Sequence, residues 1–312
     1  MRGGSGGRTA VDGLISIVYS SGMKFRAKIC AALLICCGAT ASAKSGRPIL
    51  IWNGVASMEK KRVELYYHAP EAEGQRAAVI ICPGGSYHHL GLYNEGYKTA
   101  DWFAKKGVSA FMLRYRTAEG GHHHPEMLQD IQRAIQIVRE DADSYGIDAD
   151  KVGVIGYSAG GHLVTMAGAF HSSHDELSAL GIVHEASLRP DFVVPVYPVV
   201  SMQDELAHRW SRKSLLGKDQ SDERKAEFSM ELQIPADMPP SYIVVAKDDN
   251  VVDYRNSLAL YDAMQKQGVS CRIAIYDWGR HGFGMLDNKF MKEFRWNDAL
   301  WQWLVEIGIV SG

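Results

Sequence analysis

The fold is decided by the stretch Lys151–Gly161, which reads K-V-G-V-I-G-Y-S-A-G-G. Its first half is a short apolar run of the kind that forms a buried strand in a parallel sheet. Its second half places Ser158 between glycines, which permit a turn too sharp for residues with larger side chains. The stretch therefore predicts a strand, a tight turn that exposes the Ser158 hydroxyl, and a helix that begins directly after the serine.

Strand and helix patterns alternate on both sides of this stretch. Helical spacing of apolar residues predicts helices at Asn94–Gly107, from Pro125 to Val138, at Tyr254–Lys266 and at Asn297–Ile307. Apolar runs predict strands, the first of them a half-exposed edge strand, at Val63–Tyr67, Ala77–Cys82, Ser109–Tyr115, Asp191–Tyr197, Ser241–Ala246 and Arg272–Tyr276. The alternation predicts one doubly wound α/β domain with a mainly parallel sheet over residues 44–312, in which residues 200–240 make an excursion over the carboxyl edge.

A serine hydroxyl is a weak nucleophile, so a base and an orienting acid are expected to follow Ser158 in the chain. Asp248 and Asp249 come directly after the predicted strand Ser241–Ala246, and His281 lies in a glycine-rich loop beyond the next strand. Because the carboxyl ends of parallel strands meet at one edge of the sheet, these groups are expected to lie together. The spacing predicts that His281 takes the serine proton while an aspartate orients the imidazole.

The loop Cys82–Tyr87 (C-P-G-G-S-Y) leaves another predicted strand at the same edge. Its two glycines allow backbone N–H groups to point at one spot. Together with the N–H of Ala159, these donors are suited to stabilise the negative oxygen of a tetrahedral intermediate.

From about Arg62 onward the chain resembles the α/β-hydrolase esterases of bacterial polysaccharide degradation. These are related to acetylxylan esterases and bacterial feruloyl esterases and, more distantly, to the hormone-sensitive lipase group. The motifs that carry the resemblance are I-C-P-G-G-S-Y (Ile81–Tyr87), L-Q-D-I-Q-R-A-I (Leu128–Ile135), G-Y-S-A-G-G-H-L (Gly156–Leu163), R-P-D-F (Arg189–Phe192), S-R-K-S-L-L-G (Ser211–Gly217), D-D-N-V-V (Asp248–Val252) and R-H-G-F-G (Arg280–Gly284).

The resemblance implies an α/β-hydrolase fold and a role for each candidate. It implies Asp249 as the triad acid, with Asp248 as the alternative, and Gly85, Ser86 and Ala159 as the oxyanion donors. The chain departs from the family pattern in two places: Asp253 stands where a proline is expected, and Ser86 where a third glycine is common.

Candidate substrate-binding residues surround these motifs. Aromatic and imidazole rings can stack on sugar rings, although they more often pack within the protein. Adjacent histidines cannot easily face one ion, so the run His122–His124 predicts a loop, either plain and solvated or near the substrate mouth, and neither a metal nor another cofactor is expected. The candidates for substrate contact are Tyr87, His88, His123, Tyr157, Trp210 and Trp278.

The first 43 residues carry processing signals. From Met23, a basic stretch, an apolar run and the small residues Ala41–Ala43 predict a secretory signal peptide over residues 23–43, and residues 1–22 are interpreted as a non-native or upstream extension. The apolar run is too short for stable membrane insertion. These 43 residues hold five of the basic side chains and one of the acidic ones, so the formal net charge of −2 becomes −6, with 29 Lys and Arg against 35 Asp and Glu. No nucleic acid partner is therefore expected.

These observations predict a secreted or periplasmic serine carboxylesterase. The expected substrate is an acylated oligosaccharide, such as acetylated xylan, or a small ester. A feruloyl esterase and a general short-chain esterase or lipase remain alternatives. A serine peptidase and a non-catalytic carbohydrate-binding relative are disfavoured, the latter because every triad position is filled.

Overall fold

The computed structural model of the chain describes residues 47–58, 61–72 and 74–312. The predicted signal peptide and the extension before it lie outside these residues. The described residues form eight strands, β1 to β8 in chain order, at Ile49–Leu50, Glu64–His68, Ala78–Cys82, Ser109–Arg114, Val152–Tyr157, Val193–Val196, Ser241–Ala246 and Cys271–Tyr276.

All eight strands belong to one sheet, in the order β1-β2-β4-β3-β5-β6-β7-β8. β2 pairs antiparallel with both β1 and β4, and every other pairing is parallel. The prediction of a mainly parallel sheet is thus confirmed. The prediction that β2 is the edge strand is wrong, because the two-residue strand β1, too short to show a periodic pattern, covers its outer side.

Ten α-helices surround the sheet in the described part of the chain. A π-helical turn, Leu92–Tyr97, leads directly into the first, and single 3₁₀ turns lie at Ala56–Met58, Ala118–Gly120 and Met230–Leu232. The helices, α1 to α10, are Lys98–Lys105, Glu126–Glu140, Ala142–Tyr145, Ala159–Ala169, Glu176–Ala179, Arg209–Leu216, Asp222–Glu227, Arg255–Lys266, Lys289–Phe294 and Trp296–Glu306.

The core lies on both faces of the sheet, as the continuous apolar runs require. In β3, Ala78 and Ile80 point into one apolar layer while Val79 and Ile81 point into the other, because successive side chains of a strand alternate in direction. The first layer is completed by apolar residues of α2 and α4, and the second by those of α1 and α10. Burial on both faces is what makes the central strands apolar at every position.

The segment between β6 and β7 contains α6 and α7. In α6, Trp210 packs against the rings of His88 and His89, with a distance of 5.4 Å between the ring centroids of Trp210 and His88. The Ser214 carbonyl of the same helix accepts a hydrogen bond from His123 Nδ1 at 2.8 Å. Both partners belong to loops that follow β3 and β4, so α6 lies over the carboxyl edge of the sheet. No helix of the described residues is long and apolar enough to cross a membrane.

Candidate active site

Ser158 occupies a strained turn between β5 and α4. Its backbone has φ 53° and ψ −118°, outside the conformations that an L-residue normally adopts. The turn is tight enough that a Cβ added at Gly156 would strike the Gly160 carbonyl, and one added at Gly160 would strike the Cys82 carbonyl. Glycine is therefore required on both sides of the serine, and the strained backbone lifts its hydroxyl above the sheet.

His281 hydrogen-bonds to both Ser158 and Asp249. Its Nε2 lies 2.9 Å from Ser158 Oγ, and its Nδ1 lies 2.7 Å from Asp249 Oδ2. The Asp249 side chain is fully buried and that of His281 is 15% exposed. With the Nδ1 proton directed at the carboxylate, Nε2 is free to accept the serine proton. These distances are within the range that general-base activation of a nucleophile requires.

The two adjacent aspartates have different partners. The second oxygen of Asp249, Oδ1, accepts the backbone N–H groups of Val251 and Val252, which fixes the carboxylate in the loop. Asp248 accepts the backbone N–H of Arg280 at 2.7 Å and so holds the loop that carries the histidine. Asp253 binds the guanidinium and the backbone N–H of Arg255, at the start of α8. The structure thus brings Asp249, and not Asp248, against the imidazole.

The loop after β3 presents backbone N–H groups to the same place. Gly85 and Ser86 have φ values of 128° and 58°, so both lie in the region that favours glycine. A glycine at position 86, as the family resemblance leads one to expect, would adopt this φ without strain. None of the hydrogen bonds within the described residues uses the N–H of Ser86 or Ala159, so both donors are available to a substrate oxygen.

Gly85, Ser86, Ser158 and His281 line one open cavity of about 460 Å³. The volume is in the range of small-molecule sites, about 300 to 1,000 Å³. The remaining wall is formed largely by the π-helical turn Leu92–Tyr97 and the residues just before it. The serine, the imidazole and the oxyanion donors therefore share a single space that a small ester can enter.

Glu95 is a buried carboxylate of this wall that the sequence analysis did not identify. Its Oε2 accepts the N–H of Gly84 at 2.7 Å, and its Oε1 accepts the hydroxyl of Tyr197 at 2.8 Å. Burial raises the pKa of the Glu95 carboxyl, and the hydrogen bonds from Tyr197 and Gly84 oppose that shift. A glutamate on a π-helical turn carries no motif, so only the three-dimensional structure shows it.

Two of the predicted substrate contacts are wrong because their side chains lie in the core. Tyr87 and Tyr157 are fully buried. The hydroxyl of Tyr87 hydrogen-bonds to His162 Nδ1 at 2.8 Å, and that of Tyr157 to Thr99 Oγ1 at 2.7 Å. Both rings belong to the core beneath the site, because the side chain of Tyr157 follows the strand alternation inward and the loop turns Tyr87 towards α4.

None of the other four predicted contacts lines the cavity itself. His88 and Trp210 pack against each other beside His89, which itself lines the cavity. His123 is tied to Ser214 and does not line it. Trp278 also lies outside the cavity and packs on Phe290 and Phe294 of α9, so its predicted stacking at the site is wrong.

The histidine run beside the site does not gather around one point. His122 contacts Glu126, His123 contacts Ser214, and His124 packs on the Phe228 ring with 4.3 Å between the centroids. Burial lowers the pKa of His124 to about 3, so its ring is neutral. Within the described ranges, no group of three or more His, Cys, Asp or Glu side chains is placed to hold a metal ion.

Comparison with known proteins relates this site to esterases. The chain is 32% identical over 254 residues to an acetylxylan esterase of Xylanibacter ruminicola, covering 79% of this chain and 48% of that protein. It is 30% identical over 229 residues to endo-1,4-beta-xylanase B of Butyrivibrio fibrisolvens, covering 72% of this chain and 35% of that protein. The chain thus spans about half the length, or less, of these two relatives.

A solved structure is similar over its whole length. The acetyl ester-xyloside bifunctional hydrolase of Caldicellulosiruptor lactoaceticus superimposes with a TM-score of 0.78 at 31% identity, over 87% of this chain and 100% of that one. The thermophilic esterase Est2 of Thermogutta terrifontis has the same fold, with a TM-score of 0.70 at 22% identity over 88% of this chain and 97% of that one. The family model described as BD-FAE matches residues 64–264, most of the described residues. The chain is therefore an α/β-hydrolase of the BD-FAE family.

Proposed function

We propose that the chain is a serine carboxylesterase that removes short acyl groups, acetyl above all, from acylated sugars such as fragments of acetylated xylan. The observation that carries the proposal is the hydrogen-bonded series Ser158–His281–Asp249, which opens into a cavity beside the free N–H groups of Ser86 and Ala159. The names of the relatives support the acetyl group and the xylan-derived substrate.

The geometry performs the reaction in two halves. Ser158 Oγ attacks the ester carbonyl carbon while its proton moves to His281 Nε2, and the negative oxygen that forms accepts the N–H groups of Ser86 and Ala159. The intermediate collapses with cleavage of the bond to the sugar oxygen, which takes the proton from His281 and leaves as an alcohol. A water molecule then gives its proton to His281 and attacks the acyl-enzyme, which releases the carboxylic acid and restores Ser158.

Hydrolysis assays with matched substrates test the proposal. The wild type should hydrolyse p-nitrophenyl acetate faster than the butyrate and should release acetate from acetylated xylan. Ser158→Ala should lower kcat by a factor of about 10⁴ or more with an unchanged circular dichroism spectrum, because the nucleophile is removed. Full activity of the alanine variant would contradict the mechanism. Release of ferulate from feruloyl esters without release of acetate would contradict the substrate.

We also propose that the protein is exported and acts in the periplasm or outside the cell. The proposal rests on the order of basic, apolar and small residues over positions 23–43. N-terminal sequencing of the protein recovered from its native host should give a chain that begins at Lys44. A chain that still contains residues 23–43 would contradict export by this signal.

A further inference from the structure

We infer that a second pocket beside Ser158 binds the sugar chain of the leaving group. The inference rests on the proposed esterase function and assigns a place to the alcohol side of the substrate. The pocket has a volume of about 640 Å³, and it shares the lining residues His89 and Leu92 with the cavity of Ser158. The second pocket and the cavity of Ser158 therefore adjoin each other at these two residues. One extended molecule can bind in both.

The sheet order explains where this pocket lies. Ser158 follows β5, and the strands next to it on one side are β3, then β4, then β2. Arg114 ends β4, and the antiparallel β2 begins opposite it with Glu64. Both residues line the second pocket. A substrate whose ester is held at Ser158 can thus extend across the carboxyl edge, over β3 and β4 to the start of β2.

The lining of the second pocket is polar and charge-paired. The Glu64 carboxylate contacts Arg62 at 2.8 Å, Arg114 at 2.7 Å and the Tyr66 hydroxyl at 2.8 Å. Because the charges compensate each other, the surface offers neighbouring donors and acceptors without a large excess of either sign. Such a surface suits a neutral ligand with many hydroxyl groups, whereas a fatty acyl chain requires apolar walls.

An exposed indole packs on His89, the histidine that lines both pockets. Trp210 is 48% exposed and packs against His89, with 5.9 Å between the ring centroids. The flat apolar face of an indole ring can pack against a sugar ring. His89, which lines both pockets, and Trp210 beside it are thus placed to contact the sugar that carries the ester.

Substrates of increasing length test the pocket. For the wild type we expect KM to fall as the substrate grows from an acetylated xylobiose to an acetylated xylotetraose. Arg114→Ala should lower kcat/KM for the tetramer about ten-fold more than for p-nitrophenyl acetate, because hydrogen bonds to a charged group are lost only with the longer substrate. Trp210→Ala, a surface substitution, should have the same selective effect and serves as the second variant.

Arg272→Ala is the matched control. The side chain of Arg272, on β8, is 48% exposed and pairs with Glu306 of α10, and that of Arg114 is 45% exposed and pairs with Glu64. Arg272→Ala should change kcat/KM neither for the tetramer nor for p-nitrophenyl acetate. Two results together would contradict binding of the sugar chain in the second pocket. They are a wild-type KM that does not depend on oligosaccharide length and variants that lose equal kcat/KM on the tetramer and on p-nitrophenyl acetate. A wild type that cleaves only the p-nitrophenyl ester would instead overturn the proposed sugar substrate.

A second inference comes independently from the buried carboxylate under the site. The geometry points to Glu95 as a positioning residue that sets the oxyanion loop and the histidine loop at the same time. Through Oε2 it holds Gly84, whose neighbours Gly85 and Ser86 form the oxyanion loop. Through Oε1 it holds the hydroxyl of Tyr197, which itself accepts the N–H of Gly284 at 3.2 Å.

Tyr197 transmits this constraint to the catalytic imidazole. Its ring lies 4.7 Å from that of His281 and 4.6 Å from that of Phe283, centroid to centroid. The titratable groups that face Glu95 are His281 and the hydroxyls of Tyr115, Tyr157 and Tyr197. An ionised carboxylate accepts both hydrogen bonds, whereas the amide of a glutamine has one acceptor oxygen, so either the Gly84 N–H or the Tyr197 hydroxyl proton would lose its acceptor.

Glu95→Gln should therefore lower kcat about 100-fold while KM changes less than three-fold, since a misplaced oxyanion loop weakens transition-state binding more than substrate binding. Because burial raises the pKa of the Glu95 carboxyl, the kcat of the wild type should depend on pH through this group, and that dependence should be absent from the variant.

Tyr197→Phe gives a second measurement that leaves Glu95 and Gly84 in contact. It removes only the link to the histidine loop, and we expect a loss of about three- to ten-fold in kcat. Wild-type kcat in both variants, or a Gln variant with the wild-type pH profile, would overturn the positioning role. A reduced thermal stability with unchanged kcat would mark Glu95 as structural only.

Discussion

Asp248 and Asp249 are neighbours in the chain, yet only Asp249 faces the imidazole of His281. Asp249→Asn should lower kcat by about 10⁴, because an amide can donate to Nδ1 and stabilise the wrong imidazole tautomer. Asp248→Asn is the matched control. Its Oδ1 can still accept the N–H of Arg280, so kcat should stay within about three-fold of wild type. Steady-state kinetics with p-nitrophenyl acetate measures both, and a larger loss in the Asp248 variant would reverse the assignment.

The positions of some functional side chains can be predicted from the sequence, because chain order and strand ends determine where these side chains lie. Ser158, Asp249 and His281 each follow a predicted strand at its carboxyl end, so their meeting could be expected from topology. The choice between Asp248 and Asp249 came only from a resemblance, because adjacent loop residues differ in direction and the direction depends on the loop conformation. Glu95 could not be predicted because a glutamate on a π-helical turn belongs to no sequence motif.

The turn from β5 into α4 is the element that most restricts substitution. Replacing a helical glycine with alanine normally stabilises a helix by about 1 kcal/mol. At Gly160 the sign should reverse, because the added Cβ meets the backbone carbonyl of Cys82, which cannot move away as a side chain can. We expect Gly160→Ala to lower the free energy of unfolding by about 3 kcal/mol.

Gly146→Ala provides the comparison for this prediction. Gly146 has φ 68° and open space around it, so its alanine variant carries only the cost of the left-handed backbone, about 1 kcal/mol. Urea denaturation followed by circular dichroism measures both variants. Equal losses would show that the contact with Cys82 does not constrain the turn.

α4 also carries a buried histidine that makes stability depend on pH. His162 accepts the Tyr87 hydroxyl at Nδ1 and donates from Nε2 to the Phe228 carbonyl, and burial lowers its pKa to about 4. Between pH 6.5 and 4 the unfolded chain binds a proton at this position that the folded chain excludes. Stability is therefore lost as the pH falls through this window, by about 2 kcal/mol between pH 7 and pH 5 from this group.

His162→Gln isolates this contribution, because glutamine can keep both hydrogen bonds but does not titrate. The free energy of unfolding, measured by urea denaturation at pH 7 and at pH 5, should fall by about 2 kcal/mol less in the variant than in the wild type. His124 lies nearby and also titrates. Its contribution to the pH dependence is the same in the wild type and in the variant, so it cancels in the difference. Identical pH dependence would mean that the folded protein accommodates the charged imidazole.

At the level of elements, the central strands and the longer helices were predictable because burial on both sheet faces leaves continuous apolar runs. β1 was not, since two residues show no period. The helices α6 and α7 were not predicted either, because their stability comes from contacts with loops distant in sequence, such as that of Ser214 with His123. The second pocket depends on the antiparallel return of β2 beside β4, which no local pattern indicates.

In the whole molecule, the described part of the chain contains two cysteines, and both are free thiols. Cys82 is buried at the end of β3, and burial raises the pKa of the Cys271 thiol to about 12. We expect the chain without residues 1–43 to show the same Tm with and without dithiothreitol. A thiol reagent should modify at most one cysteine of the native protein slowly, and two after denaturation. A lower Tm in reductant would indicate an unexpected disulfide.

The groups that meet in the active site come from distant parts of the chain. Ser158 is supplied after the fifth strand, Asp249 after the seventh and His281 after the eighth. While the chain is being synthesised, Ser158 leaves the ribosome more than a hundred residues before His281. Under the proposed mechanism, a nascent chain therefore contains no working hydrolase until the last strand has joined the sheet. The appearance of esterase activity should therefore mark the time at which folding is complete. Translation stalled before residue 281 should yield a chain that cannot cleave an ester.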